Sequence, residues 1–153
     1  MQLWILRHGQ AEPYSGYDAG RALTAAGRLQ VEEILRRQGP QIDTQGLEIW
    51  TSPFLRARQT ANLATEILQS PIVRETDLLV PEANARELLE ELYRTSSEKV
   101  LLVSHQPLVS LLLDILCGQS GQDHSMTTAS LAAVTCEVPA ADMGQLQWLA
   151  HPR

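Results

Sequence analysis

The chain has little with which to grip a polyanion, crosslink itself or enter a membrane. Its 153 residues carry 12 Lys and Arg against 18 Asp and Glu, a net charge of -6, with no Lys/Arg-rich tract. That balance argues against a general nucleic-acid binder or a protein held on anionic lipid, both of which need a basic patch. There are 2 cysteines, Cys117 and Cys136, in or beside apolar segments and without CxxC spacing. They read as buried reduced thiols rather than a disulfide or a metal site, and a reducing cytoplasm is the simplest setting. No basic segment opens the chain, only four consecutive apolar residues precede Arg7, and no run approaches the roughly 20 needed to span a bilayer. Export and membrane insertion are not expected. Repeats, low-complexity tracts and long linkers are missing too. With 44% hydrophobic residues, 1–153 reads as one domain with a real core.

What is present alternates strand and helix patterns, an α/β arrangement. Strands are expected over 2–6, 48–51, 72–75, 100–104, 130–137 and 144–150, the last as an edge strand or hairpin partner. The first helix opens at Thr24 as N-cap and stops at Gly39-Pro40, with Leu29, Ile34 and Leu35 marking its buried side. A second reads as capped by Ser52 with Pro53 at its first position, running to about Leu68 on a stripe of Leu63, Ala64, Ile67 and Leu68. Asn84 with Glu87 three residues on is a capping-box pattern for a third helix to about Thr95, whose Leu88, Leu89 and Leu92 recur at helical spacing. Pro107 opens a fourth, ending near Cys117-Gly118, and 119–128 form a loop. The run Val100-Leu101-Leu102-Val103 is apolar throughout and predicts a central strand covered on both faces.

Three strand ends carry basic or imidazole side chains. Arg7-His8-Gly9 follows Leu3-Trp4-Ile5-Leu6, the stretch from Ser52 to Thr60 with Arg56 and Arg58 follows the second strand, and Ser104-His105 follows the fourth. A histidine at a strand tip, followed by a glycine that lets the chain turn sharply, is held rigidly yet open to a ligand, as a nucleophile must be. In open α/β sheets ligands gather at the carboxyl ends of the strands, where Arg7, His8, Arg56 and His105 all fall. Taken singly, each has a structural reading as a backbone-bonded histidine or an ion-pair partner. Together they point to a site. Arg58 reads as a surface residue, and His124 and His151 as solvent-exposed side chains without function.

These residues resemble the histidine phosphatase superfamily, which has the phosphoglycerate mutase-like fold. Leu6-Arg7-His8-Gly9 matches its nucleophile motif, Ser52-Pro53-Phe54-Leu55-Arg56-Ala57-Arg58-Gln59-Thr60-Ala61 its second arginine motif, and Val103-Ser104-His105 its second histidine. The short length, Arg21-Ala22-Leu23-Thr24, Ser104-His105-Gln106-Pro107-Leu108-Val109 and Met126-Thr127-Thr128-Ala129-Ser130 are similar to its bacterial protein phosphohistidine phosphatase branch. The resemblance implies a three-layer α/β/α domain with a mostly parallel central sheet, and a metal-independent phosphatase without cofactor. A phosphoryl group carries close to two negative charges, and the protein mainly positions it and stabilises its oxygens. Arg7 and Arg56 suit that role because a guanidinium donates two parallel hydrogen bonds and never deprotonates. His8 is then the nucleophile, attacking through a neutral ring nitrogen to give a phosphohistidine intermediate. His105 donates to the phosphoryl oxygens, ideally as a cation, its pKa raised by the dianion. Arg21, Gly9 and Thr128 are implied as further phosphate or substrate contacts, although Thr127-Thr128 also reads as an ordinary strand-entry turn.

Two departures from the family pattern matter. Gln10 stands where many members carry an acidic residue, and no residue declares itself as the acid that protonates a leaving group. Glu82, after Leu78-Leu79-Val80-Pro81, and Asp18, in the first loop, are the candidates. Connections are too short for the insertions that cap small-substrate members, so an open site facing a protein surface is expected. The resulting expectation is a cytoplasmic, monomeric enzyme that removes phosphate from a histidine on a phosphotransfer protein, with no nucleic-acid or membrane partner. A small-molecule phosphomonoesterase is the alternative, and a non-catalytic phospho-ligand binding module a third reading.

Overall fold

A computed structural model describes residues 1–118 and 123–153, so the expected loop over 119–128 falls partly outside the described residues. The elements follow in the order β1 (Gln2–Arg7), α1 (Ala25–Gln38), β2 (Glu48–Thr51), α2 (Leu55–Leu68), β3 (Ile72–Glu75), α3 (Ala85–Arg94), β4 (Lys99–Ser104), α4 (Leu108–Cys117), β5 (Leu131–Cys136) and β6 (Gly144–Ala150), with a short 3-10 turn at Asp18–Gly20. One six-stranded sheet runs β3-β2-β4-β1-β5-β6. The first four strands are parallel neighbours, and β5 and β6 pair antiparallel at one edge.

Alternation along each strand explains the three layers, since successive side chains point to opposite faces. From β1 and β4, Leu3, Ile5, Val100 and Leu102 pack on α3 and α4. Trp4, Leu6, Leu101 and Val103 face α1 and α2. A strand covered on both faces needs apolar residues at every position, hence the unbroken runs. Burying each such Leu or Val contributes about 1.5–3 kcal/mol, which offsets much of the entropy lost on ordering the chain.

Capping holds as expected at two helices: Thr24 Oγ1 accepts from Gly27 N–H, and Asn84 Oδ1 accepts from the N–H groups of Arg86 and Glu87. Two expectations are corrected. Leu29 is 65% exposed, because the buried stripe of α1 is Gly27, Val31, Ile34 and Leu35, and position 29 lies about 200° around the helix from 27 and 31. Helix α2 starts later than read, with Phe54 rather than Ser52 as its N-cap residue. Ser52 Oγ still accepts from Phe54 N–H, but its main partner is a histidine from another strand.

Candidate active site

Parallel pairing brings the strand ends level. Arg7 is in register with Ser104, and Thr51 with Val103. The ladder continues one residue past β1 and β2, with His8 N–H donating to Ser104 O and Ser52 N–H to Val103 O, each at 3.1 Å. His8, Ser52 and His105 therefore stand side by side. His8 and His105 border a cleft of about 400 Å³, lined also by Arg7, Gln10, Ala11, Asp18, Arg21, Arg56, Pro81, Gln106 and Thr128. A larger concavity of about 750 Å³ lies at the other end of the sheet, around Met1, Gln2 and Lys99, and its lining has neither histidine nor arginine. Size is a poorer guide here than chemistry.

The His8 ring is held in one tautomer. Its Nδ1 lies 2.7 Å from Gly9 O, and a carbonyl only accepts, so Nδ1 carries the proton and Nε2 keeps a lone pair. Arg56 Nε donates to that Nε2 at 3.3 Å. Burial pushes the His8 pKa down to about 4 against the Gly9 carbonyl, which raises it, while Arg56, Arg7 and Arg21 push the same way as burial. At neutral pH the ring is uncharged, with its Nε2 lone pair free of a proton. Gly9 departs from the expected sharp turn, because it is absent from the positive-φ glycines. A Cβ there would sit 2.6 Å from Gly27 O, so close packing on α1 is what requires glycine. Its N–H is taken by Thr60 Oγ1 at 3.2 Å, so Gly9 anchors His8.

Arg56 projects from the first turn of α2 and is 4% exposed. Besides His8, it donates through Nη1 to Asp18 O at 2.8 Å and through Nη2 to Asp18 Oδ2 at 3.2 Å. Arg21 donates to Asp18 Oδ1 at 3.1 Å and to Glu12 O at 2.6 Å. Arg7 donates through Nη1 to Met126 O at 2.9 Å, and its buried Nε has no partner among the described residues. Three guanidinium groups and one carboxylate meet in the cleft, a local excess of positive charge on a chain whose net charge is -6. That excess matches a phosphoryl dianion.

His105 is 1% exposed, its ring centroid 4.9 Å from that of His8 and edge-on to Phe54. Its Nε2 lies 2.8 Å from Ser52 Oγ, and its Nδ1 is buried without a partner among the described residues. Burial, then the charges of His8 and Arg56, push its pKa down to about 2, so without an anion the ring is neutral; the expected cation belongs to the state with the dianion beside it. That nitrogen is left free to donate or accept within the cleft.

The two candidate acids fare differently, and neither is set up as an acid. Glu82 is exposed and is not among the cleft residues, although Pro81 beside it is. Asp18 lies in the cleft. Burial pulls its pKa up, but the Arg21 hydrogen bond and the Arg56 charge outweigh that and lower it, so Asp18 stays a carboxylate. Thr128 lines the cleft with its hydroxyl donating to Gln30 Oε1, and Arg58 is exposed as expected. His151 is exposed but bonds Ser130 Oγ through Nδ1. His124 corrects its expectation: it is 4% exposed, with Nδ1 2.7 Å from Asp114 Oδ1.

A family model for the histidine phosphatase superfamily (branch 1) matches residues 3–79, a segment that holds Arg7, His8, Asp18, Arg21 and Arg56. The chain belongs to the histidine phosphatase superfamily. Within the superfamily it is 30% identical to the phosphohistidine phosphatase SixA of Escherichia coli K12 over 99% of this chain and 94% of that protein. It is 27% identical to a SixA homolog of Haemophilus influenzae, over 78% of this chain and 79% of the other. A solved structure of the protein histidine phosphatase SixA complexed with tungstate superposes with a TM-score of 0.84 at 29% identity, covering 99% of this chain and 97% of that one.

Two side chains of the superfamily motif were not read as site residues in the sequence. Ser52, read as a helix cap, is the hydroxyl that faces His105. Thr60, one turn after Arg56 on α2, donates to Arg56 O at 2.8 Å and receives Gly9 N–H. The i, i+4 spacing of Arg56 and Thr60 was the available signal for the second.

Proposed function

We propose that this chain is a phosphohistidine phosphatase that dephosphorylates a histidine on a phosphotransfer protein through a covalent intermediate at His8. The observation that carries the reading is the neutral His8 Nε2, fixed by the Gly9 carbonyl and flanked by guanidinium groups in an open cleft. In the proposed scheme Arg7 and Arg56 clamp the phosphoryl oxygens, His105 Nδ1 donates to them, and Arg21 and Thr128 add contacts from the rim. The His8 ring becomes cationic as Nε2 bonds phosphorus, with its Nδ1 proton held by Gly9 O. Water then releases phosphate. No step calls for a metal or a cofactor.

The similarity to SixA proteins and the absence of a positioned acid among the described residues both favour P–N over P–O cleavage. An oxyanion leaving group usually needs a proton at the moment of bond breaking, whereas a protonated imidazole does not. The loop that carries Asp18 exposes Tyr14 and Tyr17 to 68% and 72%, aromatic surface suited to a protein substrate. We read the enzyme as a monomer in the cytoplasm, where its free Cys117 and Cys136 stay reduced.

Turnover on a phosphohistidine protein beside a panel of small phosphate esters tests this directly. The wild type should prefer the phosphoprotein, and His8→Ala should abolish turnover while retaining the fold. Alkaline quench during turnover should preserve labelled phosphate on the enzyme and acid quench should lose it, as a P–N bond requires. Normal turnover by His8→Ala, or higher kcat/KM on a small ester, would remove the reading.

A further inference from the structure

The floor of the cleft and its rim differ in burial. His8, Arg56 and His105 are 6%, 4% and 1% exposed, whereas the side chains of Arg21 and Asp18 are 25% and 44% exposed. Asp18 accepts from Arg21 through Oδ1 and from Arg56 through Oδ2. A carboxylate has about four lone-pair sites, so these two bonds leave capacity on its solvent side. Phosphoryl transfer keeps the attacking and leaving atoms roughly in line. With the attacking Nε2 on the buried floor, the leaving group stands toward the rim, where Asp18 is.

We propose that Asp18 is a specificity residue that accepts a hydrogen bond from the free ring N–H of the substrate's phosphorylated imidazole, selecting a cationic leaving ring. The inference rests on the phosphohistidine reading and extends it. His8 Nε2 forms the new N–P bond while the substrate's P–N bond breaks, its electron pair returning to the ring nitrogen. The ring, protonated on its other nitrogen, departs as neutral imidazole. The positive charge passes to the His8 ring, which keeps its Nδ1 proton on Gly9 O. Arg21 and Arg56 hold Asp18 ionised for this purpose. A phosphate ester brings no N–H to that carboxylate and develops negative charge beside it, so the contact that favours imidazole disfavours alkoxide or phenolate.

The test measures kcat/KM for wild type, Asp18→Asn and Asp18→Glu on a phosphohistidine peptide and on para-nitrophenyl phosphate. In Asp18→Asn the ratio of P–N to P–O activity should fall about tenfold or more, since one pKa unit on the leaving ring is a tenfold change in its protonated fraction above that pKa. Asp18→Glu, which restores the charge, should recover much of the ratio. Equal loss on both substrates would overturn the proposal and leave Asp18 as a residue that only orients Arg56. An unchanged or raised ratio would overturn it as well. In those cases a wild type that still prefers phosphohistidine keeps the proposed function, whereas a wild type that prefers the ester removes function and inference together.

Discussion

The proposed attack by His8 requires an Nε2 lone pair free of a proton, and the residues around it secure that state by burial and by positive charge. Arg56 links two parts of the cleft, because its Nε reaches His8 while its two terminal nitrogens reach Asp18. Arg56→Ala should lower kcat/KM by about 10²–10³, the effect of deleting one preorganised donor to developing negative charge. Arg58→Ala should change it far less, since Arg58 is exposed and lines a different surface hollow. Steady-state kinetics of the two variants check this, and equal losses would show that both arginines serve the phosphoryl group. At this scale the sequence motifs single out His8, Arg7, Arg56 and His105, and all four line one cleft. Whether a histidine is charged was not legible, because that depends on how much protein excludes water from the ring and on which cations from other elements lie near it.

Helix α1 positions the site through two facing glycines. A Cβ on Gly27 would lie 2.0 Å from Gln10 O, and one on Gly9 would lie 2.6 Å from Gly27 O, so α1 and the segment after β1 touch backbone to backbone. Neither partner is a flexible side chain that can swing away. Gly27→Ala should destabilise the fold by about 1–3 kcal/mol, as overpacking does, and should lower activity by shifting the Gly9 carbonyl that holds His8 Nδ1. Denaturant unfolding together with kcat would check it, and full stability with full activity would mean that α1 slides freely. Helical periodicity exposed most of the buried stripes but misassigned Leu29, because a lone leucine carries no sign of which face it is on until the neighbours Gly27, Val31, Ile34 and Leu35 define the stripe. Close approach at Gly27 has no sequence signature either, as it is a fact about two elements.

Across the whole molecule, the site is a pair of buried neutral histidines at the carboxyl edge of a covered sheet. Unfolding exposes both rings and returns them to a pKa of about 6.5, against about 4 for His8 and about 2 for His105 in the folded chain. Below about pH 6.5 the unfolded state therefore binds protons that the folded state refuses, so stability should be full above that value and fall as pH drops toward the folded pKa values. Thermal unfolding from about pH 7.5 to about pH 5 should show this decline, and His8→Ala should flatten it; a midpoint independent of pH would mean the rings are more hydrated than the packing indicates. The sequence by itself determined the alternation of strands and helices, the two-sided burial of the central strands and the residue types at their tips. Those follow from local sterics and from hydrophobic periodicity, which act over a few residues. Only the tertiary structure decided that residues 8, 56 and 105 meet in one cleft with Ser52 bonded to His105, that Asp18 answers two arginines, that Glu82 stays outside and that both histidines are neutral. Strand register and exclusion of water join positions far apart in the chain, and neither exists until the layers have packed.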